Sequence, residues 1–463
     1  MRGRLAAVLS LLFLSTCFLE PPKNTFERTR NTYVDSSCIY PEGFGAVVDD
    51  GVDDRAQVQA AIDDAVKRGT CVHLSKGTYH ISHIPVVGAA NASSLRVTGD
   101  VTILGVGRGQ TKLAMLGSAV VPGRTAPSDW WLIGVFAPLR LSNLTLDGSA
   151  RTGTGEQTHL LQIGEGAHDV VVENVDFNLP SLAAGSSGGD CVRVVGSSAK
   201  WVSRVTIRDS VGLSCDRSFI AVQRGVEDLT VERSESINVG DQAVDMEPTG
   251  GSGFMGPCVR RVVLRDSVFR RGPRAQGAFT VAIGGDGPAI AHDVKLVNSV
   301  VEDGGVYIID ASDVTLQGLH LVNQLGRGEP TILARKRVIG LRVYDSIVER
   351  LVGSVVGPVV KVHEQNGQRP TDVTMSNVTV RSAVPGGLVY AESLASLVVV
   401  GSRFEYTGPP TDGYAIKNRG VSFQAGAPVL ADTVVSGQLG GLVQLVGLTD
   451  GTRPSVVRTT WVH

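Results

Sequence analysis

Charge is scarce in this 463-residue chain, and what there is nearly cancels. Charged residues make up 19%, with 43 Lys+Arg against 45 Asp+Glu and a formal net charge of −2. That balance excludes binding driven by overall basicity, to nucleic acid or to an anionic membrane. Aromatics are few at 5%, yet 42% of residues are hydrophobic, which excludes a disordered chain. No apolar run reaches the ~20 residues of a membrane span. No Cys-x-x-Cys or Cys/His spacing suggests zinc. Glycine is the surplus, 56 residues against 20 prolines, without a collagen-like period. It suits a fold with many tight turns.

The N-terminus reads as an export signal. Met1-Arg2-Gly3-Arg4 is a basic start, Leu5 to Leu14 an apolar core, and the run stops near Leu19. Leu14-Ser15-Thr16-Cys17 resembles a lipoprotein box that would place a lipid anchor on Cys17, with Thr16 a departure from the usual small residue. Residues 1–19 are thus read as a signal peptide, 20–36 as a polar linker opened by Pro21-Pro22, and 37–463 as one domain whose first part, 37–85, is a cap. The expected location is secreted or cell-surface, where disulfides persist. Five cysteines remain beyond Cys17. Cys38 with Cys71 would staple the start of the domain to its first strand, whereas Cys191, Cys215 and Cys258 stay unassigned and one thiol must be left over.

Beyond residue 140 a repeat takes over. Asn143-Leu-Thr-Leu146, Asp169-Val-Val-Val172, Arg204-Val-Thr-Ile207, Asp228-Leu-Thr-Val231 and Arg261-Val-Val-Leu264 are followed by five more such segments. Anchored on residues 144, 170, 205, 229, 262, 294, 314, 341, 373 and 397, they recur every 20 to 35 residues. Most continue with a polar pair and a second alternation, as in Arg265-Asp266-Ser267-Val268-Phe269. Period-two alternation means strands with one buried face. Two or three short strands per unit, with no helix between them, describe an all-β, single-stranded parallel β-helix, a solenoid of about ten coils. A β-propeller would need longer, more even units. The periodicity predicts one helix, over 54–68, capped by Asp53 or Asp54, ended by Gly69, and covering the first coil with Val58, Ala61, Ile62, Ala65 and Val66.

The opening segment carries a resemblance. Gly43-Phe44-Gly45-Ala46, Asp49-Asp50-Gly51-Val52-Asp53-Asp54, the helix, and Gly77-Thr78-Tyr79-His80-Ile81 stand in fixed order. They resemble the start of the pectate-lyase-like superfamily of right-handed β-helix proteins, which includes polygalacturonases, lyases, epimerases and phage tailspikes. The resemblance implies the fold over nearly the whole mature chain and much less about chemistry. No histidine is followed by glycine and no Arg-Ile-Lys occurs, so the polygalacturonase set is absent; so is the Asp-Pro-His-Asp of alginate epimerases. The 49–54 acids suit Ca²⁺ by type, but turn and cap roles account for them better.

Three consecutive units stand out: Gly189-Asp190-Cys191-Val192-Arg193-Val194, Asp216-Arg217-Ser218-Phe219-Ile220-Ala221-Val222-Gln223-Arg224 and Gly240-Asp241-Gln242-Ala243-Val244-Asp245-Met246-Glu247. With Val192, Ile220 and Val244 inward, Arg193, Gln223, Asp245 and Glu247 face outward, while Asp190, Arg217, Arg224, Asp241 and Gln242 sit at strand ends. Asp245 and Glu247, two residues apart on a strand, lie roughly 7 Å apart on one face. That suits the acid and base of an inverting glycosidase. Alternatively Arg193, Arg217 or Arg224 neutralises a uronate and takes its C5 proton while the acids hold Ca²⁺, as in β-elimination. The expectation is an exported enzyme, a lyase or glycoside hydrolase acting on an acidic or complex polysaccharide without an obligatory cofactor. Asp241, Asp245, Glu247, Arg193 and Arg224 are its candidate catalytic residues, and Asp190, Arg217, Gln223 and Gln242 would bind substrate. A non-catalytic polysaccharide-binding or cell-surface scaffold is the alternative, with an idle salt-bridge ladder in place of a site. Asp147 reads as a turn residue, His159 as a lone strand-start histidine, and Trp130-Trp131 as packing rather than a sugar platform.

Overall fold

The computed structural model describes residues 37–462, apart from 84–92, 119–128, 154–157, 183–187, 249–253, 286–290, 325–328, 352–355, 393–396, 420–427, 447–454 and the positions 255, 274, 276, 278, 412 and 413. The export signal, Cys17 and the 20–36 linker lie outside the described residues. Among the described residues no helix is long and apolar enough to cross a membrane.

Each coil contributes a strand to each of three parallel sheets. Val192–Val194, Val202–Arg208 and Val211–Cys215 make one turn, and Ile220–Val222, Val226–Glu232 and Glu235–Ser236 the next. The first sheet runs through Leu161, Val192, Ile220, Val244, Val281, Val306, Ile332 and Val360 in direct register. The second stacks Val170, Val205, Leu229, Val262 and Val294. Its rungs extend beyond the repeat visible in the sequence, to Val72 and Ile103 before it and to Leu430 and Val456 after it. The first anchor is out of phase. Val170 pairs with Leu139 and Leu144 with Val175, so Asn143-Leu-Thr-Leu146 belongs to the third sheet although it reads like the start of the second. The inward residues form one buried core along the chain. Size alternates within it: a Cβ on Gly212 would lie 2.6 Å from the Phe219 ring, which packs edge-on against Phe177.

The polar pair inside each repeat marks a corner. Asn174, Asp209, Arg233, Asp266, Asn298, Asp345, Asn377 and Asp432 all have positive φ, as do the residues that open the second-sheet strands, Asp169, Arg204, Asp228, Arg261, Asp293, Asp313 and Asp372. Asn and Asp tolerate this left-handed turn best. Four arginines also occupy it, and each pairs with the aspartate corner one rung earlier: Arg204 with Asp169, Arg233 with Asp209, Arg261 with Asp228 and Arg458 with Asp432. After the corner comes a buried hydroxyl. Ser267 Oγ donates to the Arg265 carbonyl (2.7 Å) and accepts from the Ser234 amide (3.1 Å). Ser210, Ser234, Ser299, Ser346 and Ser402 repeat the same double contact.

The helix α1 (Arg55–Arg68) covers the first coil with Val58, Ala61, Ile62 and Ala65, and Gly69 ends it in the left-handed conformation. Neither cap candidate caps it in the ordinary way. Asp53 accepts the Arg55 amide (3.1 Å), and the Asp54 carboxylate is spent on the amides of Val47 and His80. Cys38 is bonded to Cys71 as expected; Cys191 is bonded to Cys215, leaving Cys258 as the buried free thiol.

The corner and the hydroxyl are separable. Ser267→Ala strands the buried Ser234 amide and should cost about 1–3 kcal/mol of unfolding free energy, whereas Asp266→Gly keeps the left-handed corner and should change it by less than about 0.5 kcal/mol. Denaturant titration of both variants checks this.

Candidate active site

The candidate residues gather on the outer face of the first sheet. Val192, Ile220, Val244 and Val281 point inward and are fully buried, so parity turns Arg193, Ala221, Asp245 and Ala282 outward as one row. The residue in line between Arg193 and Asp245 is Ala221, not Gln223. Gln223 belongs to the next outward row with Glu247, their amides bonding to the carbonyls of Val194 and Val222. Arg193 nevertheless reaches it, donating from Nη2 to Gln223 Oε1 at 2.8 Å. The expected patch is therefore contiguous.

The strand ends are stacked as well. The Arg217 amide bonds to the Gly189 carbonyl, and the Asp241 amide to that of Arg217. Asp190, expected to touch substrate, is instead enclosed, with no exposed surface. Arg217 grips its carboxylate through Nε (2.8 Å) and Nη2 (2.7 Å), and the Ser218 amide donates to it at 3.3 Å. Arg217 is thus committed to Asp190, and the pair serves as a foundation. Beneath it the Asp190 amide donates to His159 Nδ1 at 2.9 Å, which leaves the ring proton on Nε2. Burial, then the charges of Arg193 and Arg217, drive the His159 pKa well below its ordinary value, so the ring is neutral. Asp216 turns the other way, into an enclosed ion pair with Arg151 at 3.3 Å. The Cys191–Cys215 disulfide joins the segments that carry Asp190 and Asp216.

Asp241 accepts the Gly277 amide at 3.0 Å, and a Cβ on Gly277 would lie 2.2 Å from that same oxygen. Gln242, with its amide nitrogen turned inward, donates to Asp241 Oδ2 at 2.8 Å. Burial raises the Asp241 pKa, against Arg271, the Gly277 amide and Arg217. Arg271 is a site residue that the sequence reading missed. Nearly buried, it donates through Nε to the Asp241 carbonyl at 2.9 Å, holding the turn from the following coil. Its position just after Phe269, where the third-sheet alternation ends, is the only signal the sequence carries.

Asp245 is the anomalous group. It is 4% exposed and accepts no hydrogen bond among the described residues. Burial, then the negative charges of Glu247, Asp190 and Asp241, push its pKa up to about 8, with Arg217 opposing. Glu247, two residues on, is exposed. Arg193 is held below its ordinary pKa by burial and by the nearby Arg217 and Arg224, its Nε buried without a partner. Arg224 forms no ion pair among the described residues. Among the described residues, three potential metal ligands converge at Asp50, Asp54 and His80 in the cap, where Asp54 already accepts two amides. Trp130 and Trp131 are buried, with Trp130 Nε1 donating to Ser94 Oγ, and Asp147 caps its own turn at the Ser149 amide.

No protein-family model and no curated protein sequence matches the chain. Solved structures do. The A-module of mannuronan C-5 epimerase AlgE6 from Azotobacter vinelandii aligns with a TM-score of 0.59 at 15% identity over 92% of this chain and 99% of that one. The N-terminal fragment of bacteriophage Phi29 gene product 12 gives 0.55 at 13% over 91% and 72%, and tailspike protein 3 of bacteriophage CBA120 gives 0.53 at 12% over 91% and 61%. The fold is a right-handed parallel β-helix. At these identities the likeness concerns the fold of this β-helix and leaves its chemistry to its own side chains.

The two strand-end arginines Arg217 and Arg224 should separate cleanly. Arg217→Ala leaves Asp190 charged and enclosed and should cost about 3–5 kcal/mol; Arg224→Ala should stay within about 0.5 kcal/mol. Thermal unfolding of the two variants side by side measures the difference.

Proposed function

We propose that this protein is an exported carbohydrate-active enzyme that hydrolyses an acidic or complex polysaccharide lying along the first sheet. Asp245 serves as general acid and Glu247 as general base. The observation that carries this reading is the pairing of a buried carboxyl, protonated near neutral pH, with an exposed carboxylate on the same strand face. Two such groups about 7 Å apart leave room for a water between base and anomeric carbon. Asp245 would donate its proton to the leaving glycosidic oxygen as Glu247 takes one from the attacking water, inverting the anomeric centre. Arg193 on the same face, and Arg224 at the strand end near it, supply positive charge for a substrate carboxylate. Asp190 and Arg217 position the turn beneath, and Asp241 and Gln242 line its edge. The two disulfides support an oxidising compartment, in keeping with an export signal over residues 1–19.

A second reading has one observation in its favour. Arg193, its pKa lowered and its Nε unpartnered, could take the C5 proton of a uronate, with β-elimination as the outcome. The products separate the two. Incubation with a panel of acidic and neutral polysaccharides, with and without chelator, should yield new reducing ends without an ultraviolet-absorbing unsaturated product, whether or not Ca²⁺ is removed. Unsaturated product would shift the assignment to Arg193, and chelator-sensitive elimination would add Ca²⁺ to it. Binding without any product would point to a scaffold. Asp245→Ala combined with Glu247→Ala should abolish depolymerisation without lowering the melting temperature near neutral pH; activity that survives would remove both residues from the mechanism.

The raised Asp245 pKa also fixes a sign. Between about pH 4 and 8 the folded protein holds a proton that the unfolded chain has released, so stability falls as pH rises through that window. Hydrolysis should fall over the alkaline end of the same window as the acid is lost. Asp245→Asn should flatten the stability profile. Glu247→Gln, which removes the second-largest cause of the shift, should move the profile to lower pH.

A further inference from the structure

A second polar cleft lies away from the acidic patch. Arg55, Gln59 and Asp63 form one stripe of α1, spaced four residues apart, and face Ser93, Ser94, Arg96 and Thr98 at the start of the first sheet. The cleft measures about 370 Å³. Gln59 fixes its walls: Oε1 accepts the Arg96 amide at 2.7 Å and Nε2 donates to the Arg96 carbonyl at 2.9 Å, so the side chain pairs with the strand edge as backbone would.

Three features are unexplained by the fold. Neither Arg55 nor Arg96 forms an ion pair among the described residues, although arginine corners elsewhere are matched with aspartates. Arg96 instead lies over the Phe136 ring at 4.7 Å, and Arg55 Nε is buried without a partner among the described residues. Ser93 is 6% exposed, and its Oγ too has no partner among them. That hydroxyl occupies space left open by a glycine: a Cβ on Gly134 would lie 2.7 Å from it. The charged side chains lining the cleft are two guanidiniums and the Asp63 carboxylate, which already accepts Gln59 Nε2 at 2.8 Å. A net positive cleft with an idle buried hydroxyl lacks an acceptor with several oxygens.

We infer that this cleft binds one oxyanion group, a carboxylate or a sulfate, between Arg55 and Arg96, with Ser93 Oγ as the neutral donor. Planar guanidiniums suit such groups. Arg96 stands in the same outward row as Arg193 and Asp245, through Gly134, Gln162 and Ala221. Five rungs separate it from Asp245, about 24 Å. The inference does not depend on the role given to the acidic patch.

The test is calorimetric titration of the full chain with sodium sulfate against sodium chloride at matched ionic strength, alongside Arg55→Gln and Arg96→Gln. Sulfate also stabilises proteins through surface exclusion, without saturating, so saturable heat and its loss in the variants are what count. The expected result is saturable sulfate binding, weakened about tenfold or more by either substitution, with melting in chloride unchanged. Equal heats for the two salts, or unaltered affinity in both variants, would overturn the inference. Tri-galacturonate then identifies the source of the anion. Competition with sulfate places a sugar carboxylate in the cleft; bound sulfate undisturbed by the trisaccharide assigns it to a free inorganic anion. Both results keep the site, and neither bears on hydrolysis.

Discussion

Everything in this molecule depends on the rungs staying in phase, and the phase is held at the corners rather than in the strands. Many first-sheet strands are only three residues long. A parallel ladder that short has little to stop a slip, and a slip of one residue would turn every inward valine outward. The left-handed corner fixes where the chain bends, and the serine after it bonds both to its own strand and to the neighbouring rung. Those hydroxyls sit in the core side of the wall, where an unmade hydrogen bond is costly. The arginine–aspartate pairs on the outside are solvent-exposed and contribute much less. Register is therefore a property of buried polar contacts, with the apolar stack filling the space they define.

The same logic explains why the acidic patch can exist. Asp190, Asp216, Asp241 and Asp245 all lie on three successive turns, and concentrating buried carboxylates there would be prohibitive without compensation. Three receive it in different currencies: Asp190 a bidentate guanidinium, Asp216 an enclosed Arg151, Asp241 an amide and a carboxamide. Asp245 alone receives none at close range and stays neutral by keeping its proton. That asymmetry distinguishes a group poised to give up a proton from three that hold the wall together.

Much of this was legible in the sequence, because the features concerned are local and repeated. Alternation identified the strands, and placing Val192, Ile220 and Val244 inward put Arg193, Gln223, Asp245 and Glu247 on one face. Cys38 and Cys71 could be matched because Cys71 opens the first strand and the entry segment carrying Cys38 is stapled to it. What escaped depends on contacts between units. Asn143 looks like an opening residue of the second sheet because both kinds of corner use the same residues. Asp190 looked accessible because nothing in Gly-Asp-Cys reveals that Arg217, a coil later, folds over it. Arg271 reaches back one coil from a segment with no alternation of its own. Gln223 was placed on the correct face, and it stands beside Glu247, one residue past the end of its three-residue strand.

A continuous outward row also sets the kind of ligand such a face can favour. Its side chains repeat at the rung spacing of about 4.8 Å, so a molecule lying along the axis meets an ordered series of groups, and a compact one meets two or three. Here the series is uneven. Arg96 comes first, Gly134 and Gln162 follow, then Arg193, Ala221 and Asp245, then Ala282 and Tyr307. Alanine flanks Asp245 on both sides, so the adjoining rungs offer little bulk where a bond would have to approach the acid. Tyr307 is already engaged, with the Phe279 ring stacked on it at 5.1 Å and the Arg335 guanidinium over its ring at 4.7 Å. On the reading proposed above, recognition along this row falls to charge and hydrogen bonding, with Arg96 and Arg193 on the N-terminal side of Asp245. On that reading a linear anionic chain is drawn across the acid from that side, which would tie the direction of binding to the order in which the coils are wound.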